Sequence, residues 1–290
     1  MAELTAGGEG EARAARRART GQRALPGPIA YLLLVRMWSR AAMQYRVSLA
    51  LTGIAQIFTT CLDLIAILVI YAQVPQIAGF DLPETLYLYG TTRLAFGLSD
   101  LVASGVETLA DSIRLGTFDI VLIRPVGTLP QVLADQFTPK RFGKLVPALA
   151  TLIWAVAVLP VHWTPLKIAV CCGTVVCGFV IYCALWVLTG CISFIAVDAR
   201  EVANTFTYGS EFATEYPLTI FGRPLGLALT FLLPVAFVTW QPTLYVLGHP
   251  DPFGLPGFLR FAAPLVALLL SWLAALAWRG CIRRYRSTGS

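Results

Sequence analysis

Long apolar runs alternate with short polar connections along most of the chain. Several runs approach or exceed the roughly 20 apolar residues that a helix needs to cross a bilayer. The connections and the two ends of the chain contain nearly all of the Lys and Arg residues. The pattern predicts an all-α polytopic membrane protein. Its six transmembrane helices are expected at about 47–71, 84–110, 145–161, 168–197, 224–246 and 258–278.

The chain before the first run has two parts. Residues 1–25 are rich in Ala, Gly and Arg and lack the apolar core and cleavage site of a secretory signal, so we expect a disordered basic cytoplasmic tail. Residues 26–46 combine an apolar face with Arg36 and Arg40 on one side, which favours an N-terminal interfacial helix. An N-terminal extension of the first span is the alternative. Residues 26–290 then form one six-span domain.

The second half of the chain contains three local signals. Pro234 and Pro242 fall in the fifth predicted span and should kink or break it near its outer end. The polar stretch 198–223 before that span is interpreted as a cytoplasmic surface segment. Four small residues of the fourth predicted span favour close helix packing in membranes: Gly173, Cys177, Gly178 and Gly190, of which Gly173 and Cys177 are four residues apart.

Composition and charge support a membrane location and set its orientation. The chain is 57% hydrophobic and 13% charged, whereas soluble domains have about 25% charged residues. The predicted outer segments or outer helix ends hold only Lys167 and Arg260, and Arg93 lies within a span. All other basic residues lie in the predicted cytoplasmic connections and at the two chain ends. This asymmetry predicts both termini in the cytoplasm and a multi-pass protein of the plasma (cytoplasmic) membrane. The net charge of +6 is therefore no sign of a nucleic-acid partner.

Charged residues recur within the second predicted span. Arg93, Asp100 and Glu107 are seven residues apart, and Ser104 continues the line, so in one helix they form a polar stripe. Arg93 and Asp100 would lie about 10.5 Å apart along the axis, too far for a direct pair. Charges at this depth normally face the bundle interior or an aqueous path. The stripe thus lines a substrate path or pairs with other helices.

The stretch 111–126 lies between the second and third predicted spans. It is too apolar for a free loop and too charged for a span. Gly116 and Pro125 bracket a short amphipathic helix, which should lie at the membrane surface or against another protein.

Sequence motifs for catalysis on this chain are missing. There is no GxxxxGK[ST] phosphate loop, no GxSxG and no HExxH. The histidines, His162 and His249, are far apart, and the seven cysteines form no CxxC pair, so we expect no metal site. A transport subunit driven by a separate protein fits better than an enzyme.

Three segments in order resemble one family, the ABC-2 type transporter permeases, in the six-helix branch that often has paired permeases beside one ATPase. The resemblance covers nearly everything after residue 26. The first segment carries it through Gly116, Thr117, Phe118, Asp119, Leu122, Arg124 and Pro125. The second carries it through Tyr216, Pro217, Pro234, Pro242 and Gly248, and the C-terminus through Arg284, Tyr285, Ser287 and Gly289.

This resemblance implies a permease that pairs with a second permease, of the same or a homologous chain, and with two ATPase subunits. ATP and Mg would be bound by the ATPase, with no cofactor on this chain. The segment around Gly116, Thr117 and Pro125 would be a coupling helix in an ATPase groove. Leu115, Phe118 and Leu122 are expected to make its apolar contacts, with Asp119 and Arg124 setting polar register. Relatives suggest export of an amphipathic or hydrophobic, drug- or antibiotic-like molecule.

Two other functions stay open from the sequence. An ion- or proton-coupled carrier would use Arg93, Asp100 and Glu107 as its relay. No inverted repeat or paired broken helices support that alternative. A membrane scaffold without transport is the third.

Overall fold

The computed structural model describes residues 26–195 and 200–285, so the predicted tail at 1–25 lies outside the described residues. Within those ranges the protein is helical, with one isolated β-bridge between Ile77 and Phe80. The first six α-helices are α1 Gly27–Met43, α2 Arg46–Gln73, α3 Leu82–Ala103, α4 Leu109–Arg114, α5 Phe118–Ile123 and α6 Thr128–Ala134. The others are α7 Phe142–Val158, α8 Pro165–Ile192, α9 Arg200–Glu215, α10 Gly222–Phe231, α11 Trp240–Leu247 and α12 Ala263–Arg284. Short 3₁₀ turns occupy Ser104–Thr108, Pro139–Arg141, Leu218–Phe221, Val235–Phe237 and Gly257–Phe261.

Four of these helices are long and apolar enough to cross a membrane: α2, α7 with its preceding turn, α8 and α12. A bent pair, Leu218–Phe231 with Val235–Leu247, raises the number to five if the pair is one span. The all-α membrane architecture is thus consistent with the prediction, and the count of six spans stays a prediction. α3 and α9 are outside this set because both carry many polar residues.

Contacts between helices give their directions. α3 is antiparallel to α2, because Tyr71 contacts Thr85 near one end and Tyr89 donates to the Thr60 carbonyl further along. α8 and α12 run with α3, whereas α7 and α9 run with α2. We call the end where α3, α8 and α12 finish the basic end. It carries Arg114, Arg124, Lys140, Arg141, Arg283 and Arg284. The opposite, loop end carries the connections 74–81, 159–164 and 248–256.

The helix α3 occupies the centre of the bundle. All residues from Thr85 to Thr92 are buried, and α3 packs against α2, α7, α8 and α9. An Asp81–Glu84 capping box begins the helix and satisfies backbone N–H groups of its first turn. Its predicted span, 84–110, is too long at the basic end, since the α-helix stops at Ala103 and a 3₁₀ turn follows.

Within the segment predicted to lie on the surface at 198–223, the helix α9 buries one of its faces in the interior. α9 packs between α3 and α8 and buries Thr207, Ser210, Glu211, Thr214 and Glu215. Its buried face is polar, so the sequence pattern alone resembles a surface helix. The burial is made possible by partners on α3 and α8, described below.

The fifth predicted span, 224–246, is not one continuous helix. α10 ends at Phe231, and the chain turns by 86° before α11. Pro234 lies at this break, where it has no N–H to continue the helix. The break is thus near the middle of the predicted span and not at its outer end. Pro242 interrupts nothing because it lies in the first turn of α11, where N–H groups have no intrahelical partner.

The helix α1 is separate from α2, so the alternative of a continuous extension of the first span is wrong. The chain breaks at Tyr45, whose φ of −106° and ψ of 60° are not helical. α1 lies across the basic end, where Tyr31 donates a hydrogen bond to the Val102 carbonyl at 3.1 Å. It also contacts α6.

Glycines allow the closest helix approaches. A Cβ on Gly90 of α3 would lie 2.9 Å from the Leu152 backbone of α7, and one on Gly178 of α8 would lie 3.0 Å from Ala95 Cβ. The predicted packing role is therefore confirmed for Gly178 and also for Gly190, whose Cβ would lie 2.3 Å from Val106 Cγ1. Gly173 has open space where its Cβ would be, so it makes no close helix contact within this chain.

We expect Gly90→Ala to destabilise the protein, because the added methyl group must push the α7 backbone away. The cost should be about 1–3 kcal/mol, typical of overpacking, and should lower the thermal unfolding midpoint in detergent. Gly173→Ala is the matched control and should leave the midpoint equal or higher, since Ala favours a helix over Gly. Equal midpoints for the two variants would contradict the close α3–α7 contact.

Candidate functional site

Three carboxylates surround Arg93 in the interior of the bundle. Its guanidinium lies 2.7 Å from Asp63 Oδ2 of α2, 3.0 Å from Glu211 Oε1 and 2.7 Å from Glu215 Oε1 of α9. The guanidinium also lies 5.3 Å from the Tyr89 ring centroid, a cation–π distance. Glu211 and Glu215 are almost fully buried, whereas the Asp63 side chain is 42% exposed. Arg93 therefore joins α2, α3 and α9 and leaves one carboxylate partly accessible.

A second ion network lies nearer the basic end. Asp100 is fully buried and pairs with Arg141, and its other oxygen lies 3.0 Å from Lys144 Nζ. Arg141 also pairs with Glu107 at 3.1 Å, and the Tyr208 hydroxyl donates to Glu107. The network joins α3 and the 3₁₀ turn after it to the start of α7.

The predicted polar stripe is therefore divided between two networks. Arg93 and Asp100 lie on α3, but Ser104 and Glu107 lie on the following 3₁₀ turn, so the four do not form one stripe of an α-helix. Ser104 is buried. Each charged residue has partners on other elements, as the spacing requires. Whether the accessible Asp63 side also lines a path stays a prediction.

The segment 111–126 forms two short helices, the end of α4 and the whole of α5. Gly116 between them has a φ of 70°, a left-handed conformation that glycine adopts without strain. Thr117 Oγ1 donates to the Ser112 carbonyl at 3.2 Å, and α5 ends at Ile123 before the extended Arg124. Pro125 follows in a tight turn, in which Val126 N donates to the Arg124 carbonyl at 2.8 Å. A short helix between Gly116 and Pro125 was the predicted arrangement.

An aromatic cluster fixes α5 to the rest of the protein. Phe118 is fully buried, and its ring contacts the rings of Phe194 and Tyr285 at 5.4 and 5.1 Å. The Tyr285 hydroxyl donates to Asp119 Oδ1 at 3.0 Å, and Phe194 packs against Trp278. We call Phe118, Phe194, Trp278 and Tyr285 the aromatic anchor. It connects α5 to the ends of α8 and α12.

Phe118 therefore differs from its predicted place in an apolar contact surface. An aromatic side chain with no exposed area packs inside this chain and is not available to a partner. Asp119 likewise faces Tyr285. The exposed apolar residues of the segment are Leu115, Ile120, Leu122 and Ile123, with exposed fractions of 68, 50, 38 and 81%. Arg124 and Pro125 beside them are also exposed.

A model of the family described as ABC-2 family transporter protein matches residues 57–289. The chain belongs to the ABC-2 transporter family. The match covers both ion networks, the segment 111–126 and the bent pair. Comparison with curated proteins and with solved structures gives no match.

Membership in this family makes the chain a membrane component of an ABC transporter. In such transporters the membrane component is in general paired with an ATPase component. The resemblance stated from the three segments is thus confirmed. Family membership by itself gives neither substrate nor direction.

Several residues of the networks were missed by the sequence interpretation. Glu211 and Glu215 were assigned to a surface, and Arg141 and Lys144 to a loop. Their spacing contained a signal, since Glu211 and Glu215 are four residues apart and lie on one helical face. Buried charges on α3 also required partners of opposite sign. The sequence could not show which of the many charged residues supplied them.

We expect Arg93→Gln to destabilise the protein strongly, because it leaves Glu211 and Glu215 buried without a cation. Breaking a buried ion pair from one side costs about 3–5 kcal/mol. The measurement is the thermal unfolding midpoint of the purified protein in detergent.

The matched control is Arg114→Gln. Arg114 has a 59% exposed side chain and pairs with Asp111 at 3.3 Å, and exposed pairs contribute about 0–1 kcal/mol. An equal decrease of the thermal unfolding midpoint in Arg93→Gln and Arg114→Gln would contradict a structural role of the Arg93 network.

Proposed function

We propose that this chain is the permease subunit of an exporter, driven by a separate ATPase that docks on the coupling segment, residues 111–126. The basic end then faces the cytoplasm, in agreement with the positive-inside rule. The chain pairs with a second permease, of the same or a homologous sequence, and with two ATPase subunits that bind ATP and Mg. Its membrane is the plasma membrane, which it crosses six times.

The observation that carries this proposal is the exposed apolar surface of the segment 111–126, which lies beside charged residues at the basic end. Leu115, Ile120 and Ile123 are at least half exposed and lie next to the exposed Arg124. Exposed apolar side chains rimmed by polar residues are typical of a protein-interaction site. An ATPase is the partner that family membership supplies.

The attachment of α5 to other helices supports its use in transmitting movement from the ATPase to the membrane helices. The aromatic anchor connects α5 to α8 and α12, and Gln131 Nε2 of α6 donates to the Val121 carbonyl at 3.0 Å. Rigid, packed elements transmit displacement, because their interiors do not deform continuously. Closure of the ATPase pair would therefore move α8 and α12, as well as α3 through α4.

An amphipathic or hydrophobic small molecule is the proposed substrate. The large apolar surfaces of α2, α7 and α12 face outward from this chain, and such walls accommodate a substrate that partitions into lipid. The half-exposed Asp63 adds one polar position at the same level as Arg93.

We expect Ile123→Asp to release the ATPase from the purified complex. Ile123 is 81% exposed, so the charge should not disturb the fold, while an unpaired charge buried in an interface costs several kcal/mol. The measurement is the amount of ATPase that co-purifies with the tagged permease.

Phe258→Asp is the control, since Phe258 is 70% exposed at the loop end and should retain the ATPase. Normal ATPase binding by Ile123→Asp, with ATP-driven transport intact, would overturn docking at this segment.

The energy source distinguishes the exporter from an ion-coupled carrier. The carrier is a second candidate function because Asp63 is half exposed. We expect the purified chain to hydrolyse no ATP alone. Vesicles with the permease and its ATPase should transport after an ionophore collapses the pH gradient. Transport without an ATPase that follows the pH gradient would favour the carrier.

A further inference from the structure

The helix α1 has an inner face that packs on the protein and an outer face. Ala30 is 2% exposed, and Tyr31 donates to the Val102 carbonyl of α3, so these two residues mark the inner face. Leu34 and Trp38 continue it and border a cavity of about 230 Å³ between α1 and the coupling segment. The opposite, outer face shares no residue with the coupling segment.

The outer face of α1 combines apolar side chains with two arginines. Its residues are three or four positions apart and therefore lie on one side of the helix: Ile29, Leu32, Leu33, Arg36, Met37 and Arg40. The four apolar side chains are between 49 and 65% exposed, and both arginines are exposed as well. A helix face of this composition is unfavourable in water and is typical of helices that lie in the membrane interface.

The two arginines border a surface groove of about 490 Å³. Arg36 and Arg40 are one turn apart, about 6 Å along the helix axis, so both guanidinium groups can contact one phosphate. Leu33 and Met37 form an apolar wall of the same groove, and Gln44 adds a side-chain amide at its end. The groove therefore offers cationic and apolar contacts next to each other.

The charge of this face is positive without compensation from α1. The sequence has no Asp or Glu from residue 12 to residue 62. Within residues 26–195 and 200–285, neither Arg36 nor Arg40 pairs with a carboxylate. Arg46 at the start of α2 is a third exposed cation nearby. A zwitterionic headgroup would bring a cation of its own, for which α1 has no anion, so the face favours a ligand with a net negative charge.

We propose that the outer face of α1 binds an anionic phospholipid from the membrane leaflet at the basic end. Arg36 and Arg40 hold the phosphate, and the acyl chains lie against the exposed apolar side chains of the same face. Anionic headgroups attract Lys and Arg at the membrane surface, and the apolar contacts add to this attraction. The lipid holds α1 in the interface whether or not an ATPase docks on the coupling segment. In the orientation proposed above, the leaflet is the cytoplasmic one.

The test measures which lipids the full-length protein binds from mixed detergent micelles. The micelles contain equal amounts of phosphatidylcholine, phosphatidylethanolamine and phosphatidylglycerol, and bound lipids are counted by native mass spectrometry. Phosphatidylglycerol should be enriched over both zwitterionic lipids. The double variant Arg36→Gln/Arg40→Gln, in which only exposed side chains change, should lower this enrichment about fivefold for each arginine.

Arg114→Gln is the matched control, because Arg114 is an exposed arginine at the basic end outside α1, and it should keep the enrichment. Equal binding of the three lipids by the wild-type chain would overturn the proposal. An equal decrease in the double variant and in Arg114→Gln would also overturn it. Soluble glycerol 3-phosphate should not displace the lipid, and displacement by it would overturn the role of the apolar side chains.

An ATPase is the other partner that an exposed face at the basic end could bind, and the variants distinguish the two. Ile123→Asp should release the ATPase and keep the phosphatidylglycerol, whereas Arg36→Gln/Arg40→Gln should lose the lipid and keep the ATPase. Release of the ATPase by the double arginine variant, with phosphatidylglycerol still enriched, would assign this face to the ATPase and overturn lipid binding.

Discussion

The position of Arg93 is the constraint on which the bundle depends. A guanidinium removed from water is unstable unless carboxylates and hydrogen bonds replace its hydration, and here the carboxylates come from α2 and α9. This requirement explains why α9, a helix with a polar face, lies in the interior beside α3 and α8. Thr92 and Tyr182 extend the same polar layer, since both hydroxyls contact Thr214 of α9. Polar partners therefore replace apolar packing at the centre of an otherwise apolar protein.

The second network performs the same task at the basic end. Asp100 has no exposed area, so Arg141 and Lys144 must approach it at the start of α7. Their approach fixes where the connection between α3 and α7 ends, and that connection contains the coupling segment. The segment is thereby held from two sides, by this network and by the aromatic anchor. Leu115, Ile120, Leu122 and Ile123 remain exposed, while Ile113 and Phe118 are buried.

Rigid attachment and an exposed surface together are what coupling between subunits requires. A loosely attached segment would absorb the displacement of a partner by moving alone. The cavity beside α1 lies at the same joint, because Phe118, Val121 and Arg124 belong to α5 or its end and also line the cavity.

The sequence by itself determined the membrane class, the family and the place of the short helix between Gly116 and Pro125. The membrane class follows from apolar runs of spanning length, and the family from the resemblance of three segments in order. The short helix follows from the backbone preferences of Gly116 and Pro125. The sequence also predicted that the charges of α3 need partners. Only the tertiary structure decided which partners these are. It also placed α9 inside the bundle, located the helix break near Pro234 and buried Phe118. The reason is that the sequence of a polar helix face, a short amphipathic helix or a proline does not depend on its surroundings. The same residues can face lipid, water or another helix. Packing between segments distant in sequence, such as Arg93 with Glu215 or Phe118 with Tyr285, makes that choice.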